Sequence, residues 1–143
     1  MANEPIVLER LFNAPATNVW RALTDKNEMK LWYFDLADFK AEVGFRFEFT
    51  GGPSPDKQYL HLCEVIEVIP GMKITYSWRY EGYAGNSLVT FELFPQKDKT
   101  LLKLSHAGLE TFPADIADFA VSNFEEGWNA IIHSSLKDYL EKE

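Results

Sequence analysis

Cysteine is nearly missing: Cys63 is the only one in 143 residues. No intrachain disulfide can form, which suits a chain of the reducing cytoplasm, the compartment expected for it. Long apolar runs are missing too. Nothing approaches the roughly 18 consecutive apolar residues of a membrane span. Residues 1–10 lack the basic start and long apolar stretch of a signal peptide. Basic runs are also absent. Fourteen Lys and Arg stand against 22 Asp and Glu, a net charge of −8. Such a surface repels a phosphate backbone and an anionic bilayer, so nucleic acid and membrane insertion are set aside as partners.

Familiar catalytic signatures are lacking. There is no HExxH, GxSxG, P-loop or GxGxxG. Neither His61, His106 nor His133 has a second ligand at useful spacing, so neither a metal nor a cofactor is expected. Acidic residues such as Glu48, Glu64 and Glu92 fall on outward strand faces, and spacing alone pairs no two carboxylates for glycosidase chemistry. No linker or repeat interrupts the chain, so residues 1–143 read as a single domain.

Aromatic side chains are plentiful, at 15% of the chain: eleven Phe, six Tyr and four Trp. Residues 6–12 read as a strand closed by Asn13-Ala14-Pro15, then 16–23 and 26–31 as two short helices, the second capped by Thr24-Asp25 with Met29 and Trp32 turned inward. Phe45, Phe47 and Phe49 alternate with Arg46 and Glu48 on a half-buried strand, and 51–55 form a Gly/Pro loop. Residues 59–69, 74–80, 89–93 and 102–106 are further strands joined by short turns, an antiparallel meander. A capping box of Ser122 and Glu125 opens a long final helix, preceded by a short helical turn within 113–121. Its stripe is Phe124, Trp128, Ile131, Ile132, Ser135, Leu136 and Tyr139, with Glu126, Asn129, His133 and Lys137 opposite. The expected fold is α+β, a helix-grip of about seven curved antiparallel strands wrapped round the last helix.

A twisted sheet gripping one helix leaves a gap, and the rings mark its walls. Phe47, Phe49, Tyr76, Trp78 and Phe91 should face Phe124, Trp128 and Ile131, with Trp32 closing one side. Tyr76, Trp78, His61 and His106 supply polar tips. Small Ser135 in the stripe and Gly127 beside Trp128 leave room, pointing to a cavity rather than a filled core. Cys63 shares a strand face with His61. A nucleophile and base pair is the sharper reading, a core cysteine beside a core or rim histidine the plainer one, because side chains on one strand point in parallel. His106 is either an acid/base group or a histidine satisfied by a backbone carbonyl.

Several segments resemble one known family. Residues 19–25, Val-Trp-Arg-Ala-Leu-Thr-Asp, followed by Trp32, look like its opening helices. Residues 63–70 with 74–78 resemble its central hairpin, residues 100–108 its strand ending in His-x-Gly, and Gly127-Trp128 the start of its last helix. The chain is similar to the activator of heat-shock chaperone ATPase homologue, C-terminal-domain-like family, within the START-like or polyketide cyclase (SRPBCC) superfamily. The resemblance implies the helix-grip fold. For function it implies binding of hydrophobic small molecules, action on polyketides, or stimulation of a chaperone ATPase. Cys63 departs from the pattern, since relatives often carry glycine there, and its side chain narrows the expected cavity. The leading expectation is an apolar small molecule bound without catalysis, by a monomer or homodimer. The alternatives are a modulator of a heat-shock chaperone and a cyclase or hydratase using an inward histidine.

Overall fold

Alternation of apolar and polar residues builds the sheet strand by strand. The computed structural model describes residues 5–33, 36, 38–54, 56–113 and 115–141. Strands β1 (Ile6–Phe12), β2 (Arg46–Ser54), β3 (Lys57–Ile69), β4 (Lys73–Tyr80), β5 (Ser87–Gln96) and β6 (Lys99–Ala107) form one antiparallel sheet in the order β1-β6-β5-β4-β3-β2. Residues β2 to β6 run as a meander, and β1 pairs beside β6 with Ile6 opposite His106 and Phe12 opposite Thr100. Among the described residues six strands form where about seven were expected. The 13-residue β3 absorbs a register shift between Val65 and Glu67 and bends there.

The segment expected to be a loop at 51–55 differs as well. Strand β2 continues to Ser54, with a register shift between Gly51 and Ser54. Gly52 permits this, because a Cβ at that position would run into the Lys57 carbonyl across the hairpin.

Helices α1 (Ala16–Thr24) and α2 (Lys26–Trp32) follow β1. The Asp25 carboxylate accepts the Asn27 N–H at 2.9 Å, capping α2. The Trp32 indole donates to the Ala22 carbonyl at 2.9 Å and binds the two helices together. After β6, 3₁₀ turns at Leu109–Thr111 and Ala117–Phe119 lead into α3 (Val121–Ala130). Its N-cap is Ala120, without a side-chain cap, so the Ser122/Glu125 box does not form. The first turn is tied down instead by Asn123, whose amide donates to the Ala117 carbonyl at 2.7 Å.

The final helix lies across the inner face of the sheet, but not in a uniform register. A π-helical segment, Ile131–Leu136, joins α3 to α4 (Lys137–Glu141). Wider π turns place successive inward positions further apart in sequence. Phe124, Trp128, Ile132 and Leu136 are buried, whereas Ser135 is exposed. Ser135, expected at the site, borders neither of the two hollows described below. His133 likewise leaves the outward set, because the Arg10 guanidinium on β1 donates to its Nδ1 at 3.1 Å.

The core lies between this helix and the inner rows of the strands. Fully buried Tyr76, Phe91, Leu104 and Ile132 meet there. Burying each such side chain is worth about 1.5–3 kcal/mol, so the stripe holds the helix down. The π register has a direct test in urea denaturation. Leu136→Ala should cost about 2–5 kcal/mol, and Ser135→Ala less than about 0.5 kcal/mol. A cost for Ser135→Ala well above about 0.5 kcal/mol would put Ser135 inside, as a regular α register does.

Candidate functional site

Position 106 of β6 points at the helix, and what it meets is a directed hydrogen-bond chain. The Trp128 indole N–H donates to His106 Nδ1 at 2.9 Å. His106 Nε2 lies 2.7 Å from Ser87 Oγ, and that hydroxyl donates to the Trp78 carbonyl at 2.8 Å. Because the Ser87 proton is committed to Trp78, Ser87 accepts from His106, which is therefore the Nε2–H tautomer. Both ring nitrogens are used and the residue is 0% exposed. Burial lowers its pKa to about 3. His106 is a structural tie between β5, β6 and α3. It presents neither a lone pair nor a proton to a ligand, which corrects its expected place in the site and removes it as an acid/base.

Beside this tie, toward the β2–β3 hairpin, the sheet and α3 diverge into a cleft of about 540 Å³. His61, Trp78 and Tyr80 form its sheet wall, and Phe124, Trp128 and Ile131 its helix wall. Gly52, Asp118, Asn123, Glu126 and Gly127 complete the mouth. The rings brace one another. Trp78 and Trp128 have centroids 5.6 Å apart, and Tyr80 stacks on Phe119 at 4.5 Å with its hydroxyl accepting from the Trp78 indole at 2.9 Å. His61 stacks on Phe49 at 4.4 Å, and its Nδ1 donates to the Tyr59 carbonyl at 3.0 Å. Desolvation lowers the His61 pKa to about 4, so the ring is neutral at pH 7. The Tyr59 hydroxyl donates to Asp118 at 2.6 Å, the main cause of its pKa rising to about 12.

Five residues expected at a site therefore gather here: His61, Trp78, Phe124, Trp128 and Ile131. The others do not. Phe49 stands behind His61 and Trp78. Tyr76 and Phe91 are core, with the Tyr76 hydroxyl 2.6 Å from that of Tyr33. Trp32 is turned to Ala22. Phe47 and Cys63 are buried, and they border a separate groove of about 480 Å³ with Arg46, Glu48 and Arg79. Alternation showed which side chains face inward, but a closed core and an open cleft share that face. Burial pushes the Cys63 thiol pKa up, leaving it protonated and unsuited to nucleophilic attack. Among the described residues no three His, Cys, Asp or Glu side chains gather closely enough to hold a metal ion, and no helix is long and apolar enough to cross a membrane. Tyr80, Asp118, Asn123 and Gly52 were missed, and Glu126, expected on the outward face of the helix, borders the cleft. Tyr80 continues the Tyr76/Trp78 alternation and was legible. Asp118 and Asn123 had no periodic signal.

The two buried histidines make stability depend on pH. Each has a folded pKa below its unfolded value of about 6.5, so the unfolded chain binds more protons as pH falls below that value. Their contribution is complete above pH 6.5 and is lost on acidification. Urea titrations should show a loss on the order of 3 kcal/mol between pH 6.5 and 5, before most carboxylates titrate. His61→Asn should remove roughly half of that pH dependence. An unchanged slope would mean that His61 is free to protonate in the folded state.

Comparison with known proteins places this geometry. The family model described as Activator of Hsp90 ATPase homolog 1-like protein matches residues 13–141. No curated protein matches the sequence with significance. Among solved structures, protein Mll3558 from Rhizobium loti superposes with a TM-score of 0.83 at 21% identity, covering 96% of this chain and 97% of that one. Protein MLL2253 from Mesorhizobium loti has a TM-score of 0.77 at 28% identity, covering 97% and 98%. The Aha1 dimer from Colwellia psychrerythraea has a TM-score of 0.71 at 20% identity, covering 96% of each chain. With a family match that takes in β2 to β6, the His106 tie and both walls of the cleft, the chain belongs to the Activator of Hsp90 ATPase homolog 1-like family.

Proposed function

We propose that this protein binds an apolar, aromatic small molecule in the cleft between the β2–β3 hairpin and α3, without catalysis. The observation that carries the reading is a cleft of about 540 Å³ lined by the aromatic rings of Trp78, Tyr80, Phe124 and Trp128, which brace one another along it. That volume is within the range of small-molecule sites. Binding energy comes from apolar surface removed from water, at about 25 cal/mol per Å² before the entropic cost of association. The histidines and the cysteine that could have carried catalysis are not set up for it. His106 is tied at both nitrogens, Cys63 is a buried thiol, and His61 is held neutral with one nitrogen on a backbone carbonyl.

Gly127 offers a clean test. A Cβ there would meet nothing within 4 Å, although the residue borders the cleft. Gly127→Phe should therefore bring a ring to the cleft border with no clash at Cβ, and removing a mid-helix glycine offsets part of any cost. In NMR titrations with neutral 2-naphthalenemethanol, the Trp78 and Trp128 indole N–H resonances of the native protein should shift to saturation. Gly127→Phe should abolish the shift and keep a dispersed spectrum. Equal shifts in both proteins would move binding out of the cleft.

The family match supports a second reading, modulation of a heat-shock chaperone ATPase through an exposed surface. It separates from the first because filling the cleft would not matter to it. If the chain stimulates ATP hydrolysis by its cognate chaperone, the Gly127→Phe variant should do so equally. No stimulation by either protein would dismiss this reading.

A further inference from the structure

The charges around the cleft are all of one sign. Asp118 and Glu126 border it, and no Lys or Arg does so among the described residues. The remaining polar groups on the wall are uncharged: Asn123, the Tyr80 hydroxyl, and His61, whose burial keeps it neutral at pH 7. Asp118 is paired with Lys57, whose Nζ lies 3.7 Å from the carboxylate and whose side chain is 65% exposed. Lys57 offsets part of the Asp118 charge, whereas Glu126 on α3 has no ion pair among the described residues.

Asp118 is held in place. The Tyr59 hydroxyl donates to it at 2.6 Å, and the Asn123 amide fastens α3 to the carbonyl of Ala117, the residue before it. Between these carboxylates the wall presents indole, phenol and phenyl rings, whose faces carry negative potential. Two carboxylates and ring faces both attract a positive group. The same arrangement repels a carboxylate or sulfonate, and the overall charge of −8 adds to that repulsion at long range.

We infer that the cleft selects aromatic amines, ligands whose ring body packs against the exposed edges of Trp78, Tyr80 and Trp128 while a protonated amine lies toward the Glu126 and Asp118 carboxylates at the border. The inference rests on the cleft-binding reading and adds the sign of the ligand's charge. It excludes fatty acids and other anionic amphiphiles that would satisfy the apolar wall alone.

Three ligands of one size test it: 2-naphthylmethylammonium, 2-naphthalenemethanol and 2-naphthoate, titrated against the whole chain by NMR and calorimetry at low salt. The ammonium should bind about tenfold more tightly than the alcohol, and the carboxylate more weakly than either. Glu126→Gln, and more so Glu126→Gln with Asp118→Asn, should collapse the preference of ammonium over alcohol to about twofold or less while the alcohol's affinity stays the same. Raising the salt should weaken only the ammonium. Binding of the alcohol with no preference for the ammonium, or a preference that survives both carboxylate changes, would overturn the charge selection and leave the cleft reading standing. No binding of any of the three, or binding that persists in Gly127→Phe, would overturn both.

Discussion

Everything in this fold follows from the way one helix is held across the open face of a sheet. Apolar burial presses α3 and the π-helical segment onto the inner rows, but apolar contact has no direction and would tolerate sliding or rotation. Direction comes from the chain running from the Trp128 indole through His106 and Ser87 to the Trp78 carbonyl. Each donor meets one acceptor, inside a core where an unpaired partner costs about 1–3 kcal/mol. That penalty fixes the rotation of α3. It brings Phe124 and Trp128 to the sheet and leaves Gly127 and Glu126 at the lip of the cleft.

The tie also explains where the cleft opens. It fastens α3 over β5 and β6, on one side of the sheet, while β2 and β3 reach away toward their hairpin. Gly52 lets that hairpin close tightly. Tyr80 on the wall of that space is braced from behind by Phe119, which Tyr59 contacts in turn. A hydrophobic site with rigid walls needs little reorganisation on binding.

Much of this was legible in the sequence because strands announce themselves by alternation. The β1 boundaries, the inward rows of β2, β4, β5 and β6, and the Asp25 cap could be read from residue type and spacing. The helix stripe could be read at Phe124, Trp128, Ile132 and Leu136. It failed at Ser135, which a 3.6-residue period puts inside and the π turn leaves exposed, and His133, expected outside, is half-buried. Polar side chains were the harder part. His106 and His61 face inward as the alternation says, yet their roles depend on partners 19 to 22 residues away in one case and on a backbone carbonyl two residues away in the other. Asp118 enters the site from an irregular stretch that no periodicity describes.

The His106 tie also constrains how such a chain can evolve. Replacing Trp128 alone strands an imidazole lone pair, replacing Ser87 alone strands the Nε2–H, and replacing His106 alone strands both neighbours. Each single step crosses a stability valley, whereas a concerted exchange of histidine and tryptophan for apolar residues of similar volume does not. Positions 87, 106 and 128 should therefore be inherited as a block. A lineage that abandons them would be free to re-aim its last helix, and with it the shape of its cleft.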